Sequence, residues 1–295
     1  MKTFNIIGRS KLWLAISGAI LTLAIASLFI FGLNFGIDFT GGSVLQISAT
    51  NTSVDALRES MNASGFDAVV QSAGTDSYFL RLGPLSEEEH QAVLKVVHSV
   101  SPDAVESKFD SVGPVIGDEL KSKSSKAVVI MLVMIALYIA WAFRKVSTPV
   151  SSWKYGVVTM IAAFHDVIIP LGVFSVLGHF FGYQVDTAFV AAVLTVLGYS
   201  INDTIVVLDR TRENLTRNRH SDRPFGETVN SSIVQTLGRS MNTTLTTLLP
   251  LLAIVIVGGE TIRPFALALM IGIAAGAYSS IFVASPLLVL WEKKR

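Results

Sequence analysis

Six long apolar stretches constrain this chain more than any other feature of its sequence. Each can cross the ~30 Å hydrocarbon core of a membrane as a helix, which takes about 20 residues. The stretches are residues 12–33, 127–143, 154–177, 185–208, 240–258 and 265–291. Since 51% of the residues are hydrophobic and only 15% are charged, the sequence predicts a polytopic α-helical membrane protein with six transmembrane helices.

The first apolar stretch also has features of a cleaved signal peptide. Arg9 and Lys11 precede it, and Ala24-Ile-Ala26 resembles a cleavage site. Cleavage needs a polar stretch around the site, whereas the residues that follow, SLFIFGLNFG, remain apolar. We therefore expect the first stretch to stay in the protein as a membrane span.

The polar residues between the spans predict three parts of the chain. Residues 1–33 hold a cytoplasmic N-terminus and the first transmembrane helix, and residues 34–126 form one polar domain. Residues 127–295 hold helices two to six, with short connections except a predicted loop at residues 209–238. About 75 residues of the polar segment read as a folded domain, which is long enough for one modest hydrophobic core.

Lysines and arginines near the ends of the spans predict the orientation, because cytoplasmic loops carry an excess of both. Fifteen of them fall on one side, whereas the short loops on the other side offer only Arg263. The fifteen are Lys2, Arg9, Lys11, Arg144, Lys145, Lys154, Arg210, Arg212, Arg217, Arg219, Arg223, Arg239, Lys293, Lys294 and Arg295. Both termini and the loop 209–238 are therefore expected in the cytoplasm, and the domain 34–126 on the exported face.

The polar domain shows alternating strands and capped amphipathic helices. The predicted strands are residues 43–50, 68–74, 77–83 and 104–113, and the predicted helices are residues 53–65 and 86–100. Ser53 and Ser86 are expected to cap the helices, and Gly74-Thr75-Asp76 to form a turn between two strands. The resulting order, βαββαβ, is that of an exported α+β ferredoxin-like domain.

Composition and motifs exclude several classes of function. The chain has no cysteine, so it forms no disulfide and no thiolate metal site. Its net charge of +1 predicts no nucleic-acid partner. His90 and His98 lack ligands at metal spacing and are expected to be ordinary surface residues. The absence of G-x-x-x-x-G-K-[ST], H-E-x-x-H and G-x-S-x-G motifs leaves an ATP site or a hydrolase without support. We expect no catalytic residues, no cofactor, no metal and no enzyme activity.

Charged side chains inside the spans are the main candidates for function, since charge is costly in a bilayer. Asp166 lies about twelve residues beyond Lys154, or ~18 Å at 1.5 Å per residue, with His165 beside it. Pro170 follows one turn later and frees a backbone carbonyl. Asp166 is therefore either part of an ion pathway or hydrogen-bonded to a neighbouring helix end or hydroxyl.

The fourth and fifth spans each carry a cluster of polar side chains. The clusters are Tyr199, Ser200, Asn202, Asp203 and Thr204 in the fourth span and Arg239, Asn242, Thr243, Thr246 and Thr247 in the fifth. The second cluster repeats every three or four residues, so it forms one stripe on a helix. Because the two spans are antiparallel, Asp203 and Arg239 lie at a similar depth near the cytoplasmic ends.

Asp203 and Arg239 together predict a proton switch. A buried acid beside an arginine that approaches and withdraws can take up and release a proton. Taken singly, Arg239 has a simpler interpretation as a positive anchor at the membrane surface, and Asp203 as a hydrogen-bond acceptor at a helix end. We favour a proton pathway, whose candidate members are Asp203, Arg239, Asn202, Asn242, Thr243, Thr247 and Asp166.

Five motifs give the sequence a resemblance that covers nearly the whole chain. They are FGIDFTGG (35–42), VGPVIGDEL (112–120), HDV (165–167), GYSINDTIVVLDRTREN (198–214) and GRSMNTTLTTLL (238–249). Together they resemble the SecD/SecF family of protein-export membrane proteins, within the resistance-nodulation-division superfamily. In this family the aspartate of the fourth motif and the arginine of the fifth are associated with proton transport, and they fall on Asp203 and Arg239.

The resemblance also implies partners and a location. It implies a SecD-like subunit that completes a pseudo-symmetric unit of twelve spans, the Sec translocon channel, exported preproteins and the lipid bilayer of the cytoplasmic (inner) membrane. It implies that the proton-motive force drives export, although the residues leave open whether H⁺ or Na⁺ is the coupling ion.

The first motif raises a separate question about how the chain leaves its first span. Gly41 and Gly42 suit a tight exit into the first strand, and Asp38 and Thr40 supply polar partners at the interface. We favour a structural junction that sets the angle of the domain over direct contact with an exported substrate.

Two other functions remain open at this point. One is an ion-coupled exporter of a small molecule or lipid of the resistance-nodulation-division type, although a single six-span half without an internal repeat is short for it. The other is a purely structural translocon subunit, against which the intramembrane Asp and Arg are a weak argument.

Overall fold

A computed structural model describes residues 5–74, 76–142, 151–217 and 223–293. The chain divides into two compact units. The helical unit contains Met1–Leu33, Ala127–Tyr183 and Ala188–Arg295, and the sheet unit contains Asn34–Lys126 and Gln184–Thr187. Some residues used in the predictions lie outside the described residues, namely Lys2, Thr75, Arg144, Lys145, Arg219, Lys294 and Arg295.

The secondary structure consists of helices and one small sheet. The helices are α1 (Ser10–Phe31), α2 (Ile37–Thr40), α3 (Val54–Ala63), α4 (Glu87–Val100), α5 (Pro114–Ala142), α6 (Ser152–Phe181), α7 (Thr187–Arg217), α8 (Phe225–Val257), α9 (Arg263–Ser279) and α10 (Ser285–Lys293). The strands are β1 (Gly42–Ser48), β2 (Val69–Ser72), β3 (Ser77–Leu82) and β4 (Val105–Val112). A 3₁₀ turn at Ile7–Arg9 precedes α1, and a π-helical turn at Ser280–Ala284 joins α9 to α10.

Six helical stretches among the described residues are long and apolar enough to cross a membrane, which confirms the predicted spans. They are Ile7–Phe31, Pro114–Ala142, Trp153–Phe181, Thr187–Arg217, Phe225–Val257 and Arg263–Glu292. Most extend beyond the predicted apolar stretch. This follows because about 20 residues fill the hydrocarbon core, whereas a helix can continue into the polar layers on either side.

The predicted loop at residues 209–238 is wrong as a loop, because most of it is helical. The helix α7 continues to Arg217 and α8 begins at Phe225. Ion pairs three residues apart, such as Arg210 with Glu213 at 2.5 Å, stabilise the polar end of α7. The Asn214 Nδ2 atom also donates to Ser232 Oγ on α8 at 2.8 Å. A run of apolar residues predicts the part of a helix that spans the hydrocarbon core, but it does not predict the polar turns that extend the helix beyond that core.

The helices α1 and α6 pack with their backbones in near contact. A Cβ atom added to Gly172 on α6 would come within 2.5 Å of Ala24 on α1. The Ser27 hydroxyl donates to the Gly172 carbonyl at 2.9 Å, and the Ser175 hydroxyl donates to the Ser27 carbonyl at 2.8 Å. Small residues permit such an approach, and hydroxyl-to-carbonyl bonds reinforce it in apolar surroundings. The two helices therefore form one tightly joined pair.

The helices α7 and α9 meet in the same way. A Cβ atom added to Gly272 would lie 2.4 Å from the Val196 side chain, and one added to Gly276 would lie 2.8 Å from the Cβ of Ser200. Glycine on α9 thus brings that helix against the part of α7 that carries Ser200.

The sheet unit has four antiparallel strands in the order β2-β3-β1-β4, with β1 paired to both β3 and β4. Along the chain the strands and the two longer helices follow the order β1-α3-β2-β3-α4-β4. Alternate residues of the central strands point into a core with both helices, which is the pattern expected for a half-buried sheet. Its fully buried members are Leu45, Ile47, Leu57, Met61, Leu80, Val93 and Val97.

Both predicted helix caps are present. The Ser53 hydroxyl accepts a hydrogen bond from the Ala56 amide at 3.2 Å. Ser86 and Glu89 form a reciprocal capping box at the start of α4. These bonds satisfy amide groups that the first turn of a helix leaves without partners.

His90 is not the ordinary surface residue predicted for it, although His98 is exposed. His90 is buried in line with Val93 and Val97, and its ring stacks on Phe109 of β4 with centroids 3.8 Å apart. Helical spacing places it on the face of α4 that packs on the sheet. Its nitrogens lie 3.6 Å from a Glu87 oxygen and 3.3 Å from a Glu106 oxygen.

The charge of Glu87 beside this imidazole follows from its hydrogen bonds. The hydrogen bond with the Gln91 side chain is the largest effect and lowers the pKa of Glu87 from its ordinary value. Desolvation is the next largest and opposes it, and His90 lowers the pKa by smaller amounts. Glu87 therefore stays ionised next to His90 at neutral pH.

We expect residues 40–113 to fold on their own, because the core of the sheet unit lies within them. Replacing the fully buried Leu80 by alanine should lower the free energy of unfolding of this fragment by about 2–5 kcal/mol. Val69→Ala is the control, since that side chain is 54% exposed on an edge strand. Circular dichroism during urea unfolding measures both effects. An unfolded parent fragment, or equal effects of the two variants, would contradict the assignment of this core.

Candidate ion-coupling site

The Asp203 carboxylate is held by hydroxyl groups from two other helical segments. Asp203 lies on α7 and is half-buried. One carboxylate oxygen accepts a hydrogen bond from Ser240 on α8, and the other accepts from Ser280 in the π-helical turn at 2.8 Å. Two hydroxyl donors stabilise an ionised carboxylate in surroundings that offer little water.

Arg239 precedes Ser240 but does not pair with Asp203. Among the ion pairs of the described residues, none joins these two side chains, and the Arg239 side chain is exposed. Its backbone carbonyl accepts a hydrogen bond from the Thr243 hydroxyl at 2.8 Å. The structure therefore brings Asp203 and the α8 turn that carries Arg239 together, with Ser240 in the position nearest the carboxylate.

Most of the other candidate residues of α7 and α8 are exposed, and they are called the polar face here, although Met241 and Leu245 of α8 are exposed among them. Asn202, Arg239, Asn242 and Thr243 are exposed, and Thr247 is half-buried. The Tyr199 hydroxyl donates to the Thr243 carbonyl at 2.9 Å and lies 3.2 Å from the Thr247 hydroxyl.

Hydroxyl groups of this face also bond to their own helix. The Thr246 hydroxyl donates to the Asn242 carbonyl at 2.9 Å, and the Thr247 hydroxyl donates to the Thr243 carbonyl at 3.0 Å. Bonds to a carbonyl four residues earlier satisfy a threonine hydroxyl without a partner from another helix. The threonines therefore add polarity to α8 at little cost in an apolar setting.

Asp166 lies apart from this face in a second, fully buried cluster. Its carboxylate accepts hydrogen bonds from Ser200 on α7 and from Ser279 on α9, the latter at 2.7 Å. His165 Nδ1 lies 2.8 Å from the other carboxylate oxygen. The neighbouring hydroxyls that the sequence left as an alternative are thus present around Asp166. Pro170 inside α6 has no N–H to bond the Asp166 carbonyl, which lies four residues earlier.

The two clusters depend on serines that sequence reasoning did not single out. Ser240, Ser279 and Ser280 each donate to one of the two carboxylates. Serine is common in membrane helices, so composition alone does not mark these positions. The signal in the sequence is the adjacent pair Ser279-Ser280 in a mostly apolar span.

The FGIDFTGG motif places Asp38 beside the first turn of α7, within the sheet unit. The Asp38 carboxylate accepts hydrogen bonds from the Thr187 amide at 2.9 Å and from the Thr187 hydroxyl. Next to it, Phe35 and Val185 form an isolated parallel bridge. The Thr40 hydroxyl remains local and donates to the Gly36 carbonyl at 3.1 Å. Asp38 therefore caps a helix, which the sequence had predicted only as a polar contact.

The glycine pair that ends the motif is required by conformation and by space. Gly41 has φ +70° and Gly42 has φ +121°, a region that favours glycine. A Cβ atom on Gly42 would lie 2.8 Å from the Leu82 carbonyl oxygen. Both positions exclude larger residues where the chain enters β1.

The described residues contain no group of three or more His, Cys, Asp and Glu side chains that could hold a metal ion. The chemistry that the two clusters show is that of single carboxylates that accept hydrogen bonds from neighbouring hydroxyls.

Comparison with known proteins gives matches along most of the chain. A family model described as protein export membrane protein SecD/SecF, C-terminal, matches residues 92–294, and one described as the SecD/SecF GG motif matches residues 26–53. The chain is 43% identical to protein translocase subunit SecF of Thermobaculum terrenum over 90% of this chain and 87% of that protein. It is 41% identical to the SecF subunit of Anaerolinea thermophila over 98% of this chain and 94% of that protein.

A solved structure shows the same fold. The crystal structure of SecDF, a translocon-associated membrane protein from Thermus thermophilus, superposes with a TM-score of 0.87 at 39% identity. The match covers 99% of this chain and 39% of that one, so this chain spans about two fifths of the fused protein.

We expect Asp38→Ala to expose the first turn of α7 to solvent exchange. Loss of a helix cap costs about 1 kcal/mol, or roughly a fivefold faster exchange of the capped amides. Asp38→Asn should keep most of the protection, because an amide oxygen can also accept from the Thr187 amide. Asp67→Ala, the same change at an exposed acid, is the control. Amide exchange by mass spectrometry gives the rates. Unchanged exchange at residues 187–190 in Asp38→Ala would show that Asp38 does not act as a cap.

Proposed function

Since the chain belongs to the SecD/SecF family of protein export membrane proteins, we propose that it is an accessory subunit of the Sec protein translocation machinery. In this role it promotes the export of preproteins across the cytoplasmic membrane together with a SecD-like partner, and the proton-motive force drives the process. The subunit acts through conformational change and performs no covalent chemistry.

The observation that carries the proposal is the exposed polar face on α7 and α8. Asn202, Arg239, Asn242 and Thr243 are exposed on helices that are long and apolar enough to cross a membrane. Polar and charged groups rarely face lipid and almost always face another helix or a hydrated cavity. A second half of the transporter, supplied by a SecD-like subunit, would cover this face. The fused SecDF relative, which is more than twice as long as this chain, supports such a partner.

Proton coupling is proposed to act at Asp203. The Ser240 and Ser280 hydroxyls donate to the ionised carboxylate and can release it when it takes up a proton. Arg239 has a long side chain next to Ser240, so a swing of its guanidinium towards Asp203 would favour the ionised acid again. Each proton that moves inward yields about 2.3 kcal/mol per 100 mV and about 1.4 kcal/mol per pH unit. This is enough to bias a conformational change of a few kcal/mol.

The sheet unit is proposed as an exported ferredoxin-like domain formed from residues 34–126. Its chain order β-α-β-β-α-β and its sheet order β2-β3-β1-β4 support that fold. The excess of lysine and arginine near the opposite ends of the spans supports a cytoplasmic location for both termini. In this topology Asp203 and Arg239 lie near the cytoplasmic side, where a proton that has crossed the membrane is released.

We expect Asp203→Asn to abolish the proton-dependent part of export while leaving membrane levels near normal. The amide keeps the size of the side chain but cannot exchange a proton. Asp209→Asn removes an exposed acid two turns along the same helix and should be active. Export of a secreted reporter in cells depleted of the native protein is the measurement. Parent-level export by Asp203→Asn would favour a structural subunit.

We expect Arg239→Lys to assemble with the partner but lose most proton-dependent export, and Arg239→Ala to lose more. The planar guanidinium holds a carboxylate in a fixed fork while it donates to a neighbouring Asn or Thr, whereas an ammonium lacks this fork and is easier to deprotonate when buried. Arg217→Ala, at another exposed arginine near the membrane, is the control. The combination of Asp203→Asn with Arg239→Ala should be no worse than Asp203→Asn alone, since both changes remove one switch. A fully active Arg239→Lys would leave Arg239 as an anchor.

The orientation can be tested by labelling, because the chain contains no cysteine. We expect a membrane-impermeant maleimide to label Ser99→Cys in intact spheroplasts, because this exposed residue lies in the sheet unit. Thr216→Cys, exposed at the end of α7, should react only after the membrane is disrupted. The reverse pattern would overturn the proposed topology.

A further inference from the structure

The two intramembrane carboxylates are bound by consecutive residues of the sixth span. The Ser279 hydroxyl donates to Asp166 at 2.7 Å, and the Ser280 hydroxyl donates to Asp203 at 2.8 Å. Both serines are fully buried. One short segment therefore contacts an acid on α6 and an acid on α7.

The helix geometry at this point makes the double contact possible. Ser279 is the last residue of α9, and the π-helical turn begins at Ser280. The Ser285 hydroxyl, in the first residue of α10, donates to the Ser280 carbonyl at 3.1 Å across this turn. Single π-helical turns inside α-helices are rare and occur frequently at functional sites.

A second link between the acids runs along α7. Ser200 donates to Asp166 and lies three residues before Asp203. Side chains three residues apart on a helix are neighbours, with Cβ atoms about 5–6 Å from each other. The two carboxylates are thus joined from both sides, through α7 and through the junction of α9 with the π-helical turn.

Each serine has a second acceptor in its own helix. The Ser279 hydroxyl also lies 3.2 Å from the Gly276 carbonyl oxygen, and the Ser280 hydroxyl lies 3.1 Å from that of Ala277. A hydroxyl has one proton, so it donates either to the acid or to the carbonyl. When the acid is ionised, the serine donates to it. When the acid takes up a proton, the acid donates to the serine, and the serine turns to its carbonyl. Both protonation states keep their hydrogen bonds without water.

The other groups around the acids are few. On α6, His165 contacts Asp166, and its buried Nε2 atom has no hydrogen-bond partner among the described residues. On α9, the Tyr278 ring lies 6.2 Å from the imidazole ring. On α8, Ser240 contacts Asp203 and Arg239 precedes it in the chain. An unpartnered imidazole nitrogen beside a buried carboxylate is a place where a proton can be taken up.

We propose that Ser279 and Ser280 are positioning residues that couple Asp203 to the Asp166–His165 cluster. The carboxyls of Asp166 and Asp203 then titrate as one pair, and between their two titration steps they share a single proton. The inference rests on the proposed proton-coupled function and adds a second acid site to it. Two nearby carboxylates in an apolar setting resist being ionised together, and a proton released by one is taken up at the other. The junction of α9 with the π-helical turn contacts both members of the pair, through Ser279 and Ser280.

The test uses the full chain assembled with its SecD-like partner in lipid vesicles, with ¹³C-labelled aspartate in this chain alone. Infrared difference spectra across a pH series report the carboxyl bands of Asp166 and Asp203, assigned with Asp166→Asn and Asp203→Asn. If the carboxyls are coupled, removing one displaces the titration of the other by about one pH unit. If each single variant deletes one band and leaves the other where it was, the pair does not exist.

The serine variants test the coupling residues directly. Ser279→Ala should displace the band of Asp203, which it does not contact, and Ser280→Ala should displace that of Asp166. Ser175→Ala is the matched control, since it removes a buried hydroxyl of α6 that bonds the Ser27 backbone carbonyl. Effects confined to the contacted carboxyl would overturn the proposal.

Two further substitutions separate hydrogen bonding from packing. Ser279→Cys and Ser280→Cys keep nearly the same side-chain size, but a thiol is a weak hydrogen-bond donor, so their spectra should show the same displaced bands as the alanine variants. They also provide the test if an alanine variant fails to assemble. Serine to threonine keeps the hydroxyl and should restore the coupling. Parent-like spectra for the cysteine variants would show a packing role and refute the inference. The proposed function would fail in a different experiment, namely if the Asp203→Asn variant still exported protein in a proton-dependent way.

Discussion

The need to hold ionisable groups inside an apolar helix bundle determines the arrangement of the helical unit. A carboxylate in such surroundings is tolerated only with donors around it. Asp166 obtains them from Ser200, Ser279 and His165, and Asp203 obtains them from Ser240 and Ser280. These contacts bring α6, α7, α8 and the end of α9 to one place. The glycines of α9 that allow the close approach to α7 serve the same contacts, because Gly276 lies against Ser200.

Features of the fold and the site could be predicted from sequence where they depend on residues close together in the chain, and not where they depend on contacts with distant segments. The six spans, Ser53 and Ser86 are read correctly because hydrophobic length and helix capping are local properties. His90 was misjudged because burial depends on Phe109 of a strand that follows it in the chain by about 20 residues. The polar ends of α7 and α8 were missed because ion pairs and Asn214 stabilise them without apolar residues. Asp166 and Asp203 could be found from sequence, whereas the roles of Ser240, Ser279 and Ser280 as donors could not, since a hydroxyl acquires such a role only from the helix opposite.

The Asp203 carboxylate accepts a hydrogen bond from Ser240, whereas the side chain of Arg239, its predicted cationic partner, is exposed and does not pair with it. A hydroxyl and a guanidinium differ in what they do for a carboxyl. The hydroxyl can serve the acid in both protonation states by rotating, while the guanidinium serves only the ionised state. The geometry around Asp203 is therefore compatible with an acid that changes its protonation state while its surroundings stay folded.

The backbone contact between α1 and α6 has a mechanical consequence. Helices joined at Gly172 and Ala24, with two hydroxyl-to-carbonyl bonds across the contact, cannot slide past one another without breaking those bonds. We therefore expect the two helices to move together. Since Asp166 lies on α6, a displacement of that part of α6 would also displace the first helix of the chain.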